Sequence, residues 1–292
     1  MRNHRHTGGT FSRRAMHVAL AVVLCAAIAA CGAKPVGAQI IDDGRRAYET
    51  LTPALAGMHN LQSSESWYRV DLAGTHVGFV HIAVEASGGK VVYKEKVRIK
   101  QSAYYDNMDF EVTLAQGSLK PNKAVVYKEG RYYKAYRKIH KTFVFDWDAR
   151  KIVIITGEGA NARSRSVAMQ PNAVYTPHWF FALHKRELLK PGAEYRFQTF
   201  DFDLERFITL GVTVLAETKK DVFELFWDLP DAYGTSVDMR FWVSPKTIAN
   251  PNGDFLRKEW IGEFMKEPLT MVKSTKEKAT RQEADKKPPK KK

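Results

Sequence analysis

The chain has 292 residues, of which 44% are hydrophobic and 12% aromatic, and this composition excludes an intrinsically disordered protein. The formal net charge is +14, but residues 1–38 carry +5 and residues 276–292 carry another +5, which leaves only +4 for the body. A body with so small a charge lacks the basic surface of a nucleic-acid-binding protein, so no nucleic-acid partner is expected.

Residues 1–38 have the pattern of an export signal. Arg13 and Arg14 precede an apolar run, residues 15–30, which is too short to favour a membrane-spanning helix. Ser12 before the two arginines is also compatible with the twin-arginine route, so the Sec and Tat routes both stay open. We therefore expect a protein exported into a bacterial envelope.

Two processing sites compete after the apolar run. Residues 28–31 fit a lipobox that ends in Cys31, whereas residues 36–38 fit cleavage before Gln39. The lipobox is favoured because the cysteine directly follows the run, and acylated Cys31 would then anchor the protein to the membrane; the alternative is a free periplasmic protein. Cys25 and Cys31 are the only cysteines, so the mature body has no disulfide and no thiol nucleophile.

Residues 39–63 are predicted to form a helical lead-in, because Tyr48, Leu51 and Leu55 have helical spacing there, although Pro53 weakens the helix. From residue 64 the apolar period changes to two. The clearest strand covers residues 91–100. Its predicted dry side carries Val91, Tyr93, Val97 and Ile99, and its wet side carries Lys94, Lys96, Arg98 and Lys100. The same pattern predicts a strand with Val77, Phe79, His81 and Ala83 on one side.

Many short strands with turn residues between them predict a mainly β fold, a curved antiparallel sheet or half-open barrel with one or two short helices. Residues 174–189 interrupt the strand pattern and are predicted to form a helix or apolar plug against the sheet. We expect residues 64–273 to be a single domain and residues 274–292 to be a disordered basic tail.

Short motifs resemble a known family. The stretch Trp67–Gly74, followed by Val77-Gly78-Phe79, resembles the opening hairpin of the family called domain of unknown function 3108, and residues 188–192 look like a later segment of that family. The resemblance implies a sheet similar to the half-open barrels of periplasmic lipoprotein carriers, whose concave face holds acyl chains. It implies no catalytic activity for this chain.

Catalytic and metal motifs are missing from the sequence. No Gly-x-Ser-x-Gly elbow occurs, no histidine pair has metalloprotease or zinc-finger spacing, and paired carboxylates such as Asp201 and Asp203 are better explained as turn residues. The sequence therefore favours a protein that is not an enzyme, with no catalytic residues, no metal and no cofactor.

The number of aromatic residues is the remaining functional signal, because it is larger than isolated surface positions would explain. We predict an exported binding module whose concave face takes an acyl chain or another hydrophobic ligand. The residues predicted to line this face are Trp179, Phe181, Phe226, Trp227 and Trp242. The alternative is a structural or interaction lipoprotein that binds a protein or an anionic polymer through its sheet edge or its basic tail. A plug formed by residues 174–189 would instead fill the concave face permanently.

Overall fold

The chain divides into two units, residues 1–42 and 43–292, and every residue described below belongs to the second. The structure is a computed structural model that describes residues 63–101, 104–132, 135–171, 173, 175, 188–228, 237–244, 255–262 and 268–281. Its strands are β1 (Ser64–Leu72), β2 (Thr75–Ser87), β3 (Lys90–Gln101), β4 (Tyr104–Ala115), β5 (Pro121–Tyr132), β6 (Ala135–Asp146), β7 (Lys151–Thr156), β8 (Arg163–Ala168), β9 (Glu194–Asp201), β10 (Arg206–Lys219), β11 (Val222–Asp228), β12 (Val237–Val243), β13 (Arg257–Gly262) and β14 (Leu269–Ser274). A 3-10 helix spans Gly159–Asn161, and an α-helix, α1, spans Lys276–Thr280.

All 14 strands belong to one antiparallel sheet in the order β8-β7-β6-β5-β4-β3-β2-β1-β14-β13-β12-β11-β10-β9. The first strand, β1, pairs with both β2 and β14, so the two ends of the sheet-forming chain meet in the middle of the sheet. Within the described parts of the chain, β8 and β9 each have one strand neighbour and form the two edges. The predicted mainly β, antiparallel fold is confirmed, and the sheet is not closed.

The sheet is curved, because side chains from strands far apart in the strand order meet. The rings of Phe110 in β4 and Phe202 after β9 have centroids 5.1 Å apart, and those of Phe143 in β6 and Phe200 in β9 lie 5.8 Å apart. We call the face that carries Phe110, Phe143 and Phe241 the concave face, and the opposite face the outer face. Most of the hydrophobic core lies on the concave face.

Strand pairing explains which residues reach this core. Val91, Tyr93 and Ile99 of β3 are buried, while Lys94, Lys96 and Arg98 point to the outer face, as predicted. In β2 the predicted pattern is wrong: Val80, Ile82 and Val84 are buried, whereas Phe79, His81 and Ala83 lie on the outer face. Both faces of β2 carry apolar residues, so alternation alone could not choose between them.

The chain after β14 differs from the predicted disordered tail, which was placed from residue 274. Ser274 still belongs to β14, and α1 follows. Thr275 caps α1 by accepting a hydrogen bond from the backbone N–H of Lys278 at 3.3 Å. Ala279 is fully buried, and α1 packs against β1 and β2. This buried contact and the cap make the segment regular; residues 282–292 lie outside the described residues.

Three further predictions fall outside the described residues: the export signal, the helical lead-in and most of the segment at residues 174–189. From that last segment the structure describes Tyr175, Leu188 and Leu189, which are all buried. Among the described helices, none has the length and apolar character needed to cross a bilayer.

Candidate functional site

A carboxylate stands on the concave face of β3, in the middle of its apolar row. Glu95 pairs with Ile82 of β2 and Phe110 of β4, so its side chain shares their face rather than that of the neighbouring lysines. The hydroxyl of Tyr93 donates a hydrogen bond to Glu95 Oε2 at 3.3 Å. Side chains two residues apart in a strand share a face, so Glu95 shares the face of Tyr93 and Val97. This alternation is the sequence signal from which the inward position of Glu95 could have been predicted.

A lysine stands on the same face, on the other arm of the sheet. Lys258 of β13 pairs with Phe241 of β12 and Met271 of β14, which are both core residues. Its Nζ lies 4.3 Å from the ring centroid of Trp260 and 5.0 Å from that of Phe241. Cation–π attraction to these two aromatic rings therefore stabilises the ammonium group.

The two charged groups act on each other's ionisation. Burial raises the pKa of Glu95, and the charge of Lys258 and the hydrogen bond from Tyr93 oppose this rise. Burial also lowers the pKa of Lys258 from 10.5 to about 8, against the opposing attraction of Glu95. Yet Lys258 Nζ forms no salt bridge and no hydrogen bond with a described residue, so the attraction between Lys258 and Glu95 acts without a direct contact.

Both groups lie on the concave face of the curved sheet, and neither is fully buried. Glu95 and Lys258 are surrounded by protein, as their desolvation shows, but each keeps part of its surface accessible to water. We infer that the two side chains line an interior space that water can enter, and we call this space the cleft. Several apolar residues on the concave face are likewise packed against the core but only partly buried, and four of them are Val97, Phe110, Trp260 and Leu269. We call these four residues and the Glu95/Lys258 pair the cleft residues.

A comparison with known protein families covers the part of the chain that contains Glu95. The model of a family described as "protein of unknown function (DUF3108)" matches residues 67–248, which is well over half of the chain. This chain belongs to the DUF3108 family. The matched region includes Glu95 and ends before Lys258. No curated protein and no solved structure matches the chain.

In this DUF3108 chain, the residues predicted to line one apolar face do not share a face. Trp227 is buried on the concave face, where its ring lies 4.3 Å from that of Phe241. Phe226 and Trp242 lie on the outer face, where Arg257 sits 5.0 Å over the Trp242 ring. Their placement on the concave face is therefore corrected, because neighbouring residues of a strand point to opposite sides. Trp179 and Phe181 lie outside the described residues, and a ligand-binding role for these side chains stays a prediction.

A second polar cluster lies on the outer face of β4, β5 and β6. The hydroxyl of Tyr127 donates to Glu129 Oε2 at 2.8 Å, that of Tyr105 donates to Oε1 at 3.4 Å, and Tyr136 also bonds Glu129. The hydrogen bond from Tyr127 is the main reason that the pKa of Glu129 is lowered, and the pKa of each tyrosine is raised. Tyrosines with raised pKa values are poor nucleophiles, so this cluster offers no activated group.

Metal and acid–base chemistry find little support in the described parts of the chain. No group of three His, Cys, Asp or Glu side chains there converges on a point where a metal ion would sit. Asp201, one of the paired carboxylates, accepts hydrogen bonds from the backbone N–H groups of Asp203 and Leu204 at 2.9 and 2.8 Å. It therefore holds the β9–β10 turn, as the sequence indicated.

Proposed function

We propose that this domain is a non-catalytic binding module that takes an acyl chain or another hydrophobic ligand into the cleft on its concave face. The observation that carries the proposal is the set of partly exposed apolar side chains, Val97, Phe110, Trp260 and Leu269, around that cleft. Apolar and aromatic walls with a few polar groups are the usual lining of a small-molecule site. An apolar ligand would complete the burial that the sheet leaves unfinished.

The competing arrangement is a cleft filled permanently by residues 174–189. The two arrangements differ in one measurable property, because a permanently filled cleft leaves no apolar surface for an added ligand. The mature protein, purified without detergent, is titrated with the fluorescent apolar probe N-phenyl-1-naphthylamine. Native mass spectrometry of the same preparation then tests for co-purified lipid.

Two variants of one strand sharpen this experiment. Val97→Trp adds volume on the concave face of β3, whereas Val92→Trp makes the same change on the outer face. We expect saturable probe binding by the wild type and by Val92→Trp, and at least about a tenfold weaker affinity in Val97→Trp, because the indole occupies ligand space. Thermal melting establishes that both variants are folded. Equal binding by the two variants, or no binding by the wild type, would reject the proposal.

The proposal includes export to a bacterial envelope, with a mature protein that starts either at acylated Cys31 or at Gln39. The basic and apolar pattern of residues 1–30 and the lipobox at residues 28–31 support it. A carrier of hydrophobic ligands anchored at a membrane would stand next to its ligand source.

A second candidate function is an interaction protein of the envelope. It is favoured by strand β8, an edge of the sheet along which almost every side chain is exposed. Such an edge can pair with a strand of another protein. Pull-downs from envelope extracts would use the full mature chain and a chain that ends at Arg281. A partner retained by both chains would support the edge, one lost on truncation would support the tail, and no partner for either would reject this candidate.

A further inference from the structure

We infer that Lys258 anchors the anionic head group of an amphiphilic ligand whose apolar chain occupies the cleft. This inference rests on the proposed function, which it makes more specific. It assigns a ligand class, single-chain amphiphiles that end in a carboxylate or a phosphate, and it gives Glu95 the opposite effect on the same ligand.

The position of Lys258 is the first observation. Strand β13 alternates, with Arg257 and Glu259 on the outer face and Lys258 and Trp260 on the concave face. The outer face would have solvated the ammonium group at no cost. Its placement opposite Phe241 and Met271 instead removes it from bulk water, which is unfavourable unless something compensates.

The missing partner is the second observation. Two other lysines of the concave face have carboxylates: Lys128 approaches Asp203 at 3.6 Å and Asp106 at 4.0 Å, and Lys141 bonds Glu205. Within the part of the chain that the structure describes, Lys258 Nζ forms no salt bridge and no hydrogen bond, and it lies near the rings of Trp260 and Phe241. Aromatic rings attract a cation but accept no N–H hydrogen bond of normal strength. The ammonium group therefore keeps its hydrogen-bonding capacity for another molecule.

The location of Glu95 decides the sign of the ligand's charge. A cationic head group would be repelled by the positive Lys258 in a low-polarity cleft, and burial disfavours the negative charge of Glu95 that could offset this repulsion. An anionic head group gains a charge-assisted hydrogen bond from Lys258 and is opposed by Glu95 only when that carboxyl group is ionised. Burial already favours the protonated form of Glu95 by raising its pKa, and a nearby anion would favour it further.

The test compares three amphiphiles of one chain length, dodecanoate, dodecanol and dodecylammonium, below the concentrations at which they form micelles. Each displaces N-phenyl-1-naphthylamine from the mature protein at pH 7. We expect the wild type to bind dodecanoate at least about tenfold more tightly than dodecanol, the size of one charge-assisted hydrogen bond, and dodecylammonium most weakly. Dodecyl phosphate is expected to follow dodecanoate, and a difference between them distinguishes a carboxylate ligand from a phosphate ligand.

Three variants complete the test. Lys258→Met should abolish the preference for dodecanoate and leave dodecanol affinity within about threefold. Glu95→Gln should tighten dodecanoate binding, since it removes the opposing charge while its amide oxygen can still accept from Tyr93. Lys96→Met, on the outer face of β3, should change neither affinity.

The outcomes separate the two proposals. If the wild type binds none of these molecules, the proposed hydrophobic-ligand function is wrong. If it binds dodecanol and dodecanoate equally, or if Lys258→Met keeps the preference, the ligand function stands and the role of Lys258 is rejected. Glu95→Gln gives an independent answer if Lys258→Met does not fold, because weaker dodecanoate binding by this variant contradicts the assignment.

Discussion

Glu205, in the turn between β9 and β10, bonds Lys141 in β6, a strand on the opposite arm of the sheet. Arg165 of the edge strand β8 bonds the same carboxylate. Desolvation raises the pKa of Glu205, but the hydrogen bonds and charges of Lys141 and Arg165 outweigh it, so the pKa lies below its ordinary value. This carboxylate therefore ties the two arms of the curved sheet together.

Replacing Glu205 by Gln should lower the free energy of unfolding by about 1–3 kcal/mol, because Lys141 loses a charged partner in a place with little water. Glutamine keeps the size of the side chain, and the backbone strain at this residue (φ 53°) is the same in both proteins. Urea unfolding at pH 7 measures the difference. The exposed pair between Lys94 and Glu85 supplies the control, and Glu85→Gln should cost less than about 1 kcal/mol.

The effect of Glu205→Gln should depend on pH. Because the pKa of Glu205 is lower in the folded chain, the unfolded chain binds more protons between the two pKa values, and stability rises with pH there. The wild type should lose its stability advantage over Glu205→Gln as the pH falls below 4.5, the ordinary pKa of a glutamate side chain. An advantage that stays constant through the acid range would mean that the carboxylate charge is not what joins the two arms.

Lys258→Met should not destabilise the folded protein, and we expect its melting temperature to rise by about 2–4 °C for each 1 kcal/mol gained. An aliphatic side chain beside Phe241 and Trp260 avoids the desolvation of the ammonium group. The lowered pKa of Lys258, about 8, means that the native ammonium loses its proton before the unfolded one does as the pH rises. The gain should therefore be full below pH 8 and should shrink as the pH rises toward 10.5.

Lys128→Met is the matched comparison, because Lys128 also lies on the concave face but has Asp106 and Asp203 as partners. Removing this lysine leaves a partly buried carboxylate without its cation, so the melting temperature should fall. Differential scanning calorimetry of both variants distinguishes the two situations. Equal losses of stability would show that Lys258 also has a structural role, contrary to the expectation above.

Gly78→Ala should prevent normal pairing of β2 with β3. A Cβ atom built at Gly78 would lie 1.9 Å from the backbone oxygen of Arg98, which is far inside contact distance. Only a backbone shift can relieve this clash, so we expect a loss of more than about 2 kcal/mol or no soluble protein. Gly211→Ala in β10 is the control, because its Cβ would meet Asp228 Cβ at an ordinary 3.5 Å. Denaturant unfolding of the two variants decides the point; similar stability of the two would contradict this explanation.

Cys31→Ser tests the predicted start of the mature protein. With the lipobox in use, the wild type should fractionate with membranes and carry a mass increment of fatty acyl groups at Cys31, and the variant should lose both. Mass spectrometry of the mature N-terminus reads the result directly. A wild-type protein that begins at Gln39 without added mass would establish cleavage at the second site instead.

Strand pairing on β2 and β11 shows why local pattern was not enough. His81 and Phe79 were expected to face the same side as Val77, but pairing with β1 placed Val80 in the core. Phe226 and Trp227 are adjacent and both large, and only the register with β12 shows that Trp227 points inward. The apolar content of such strands does not specify a register, since burial of either face would gain a similar hydrophobic free energy.

The mainly antiparallel β class, the family resemblance and the two faces of β3 could be predicted from the sequence, because alternation of apolar and charged residues along most of a strand has only one favourable burial. The same alternation also indicates that Glu95 belongs to the apolar row of β3. Only the folded sheet shows that β1 pairs with β14, that Lys258 pairs with Phe241 and that Lys258 and Glu95 act on each other's charge. Strand β13 is too polar for its inner face to be predicted, and the meeting of two arms separated by more than a hundred residues depends on the curvature of the whole sheet.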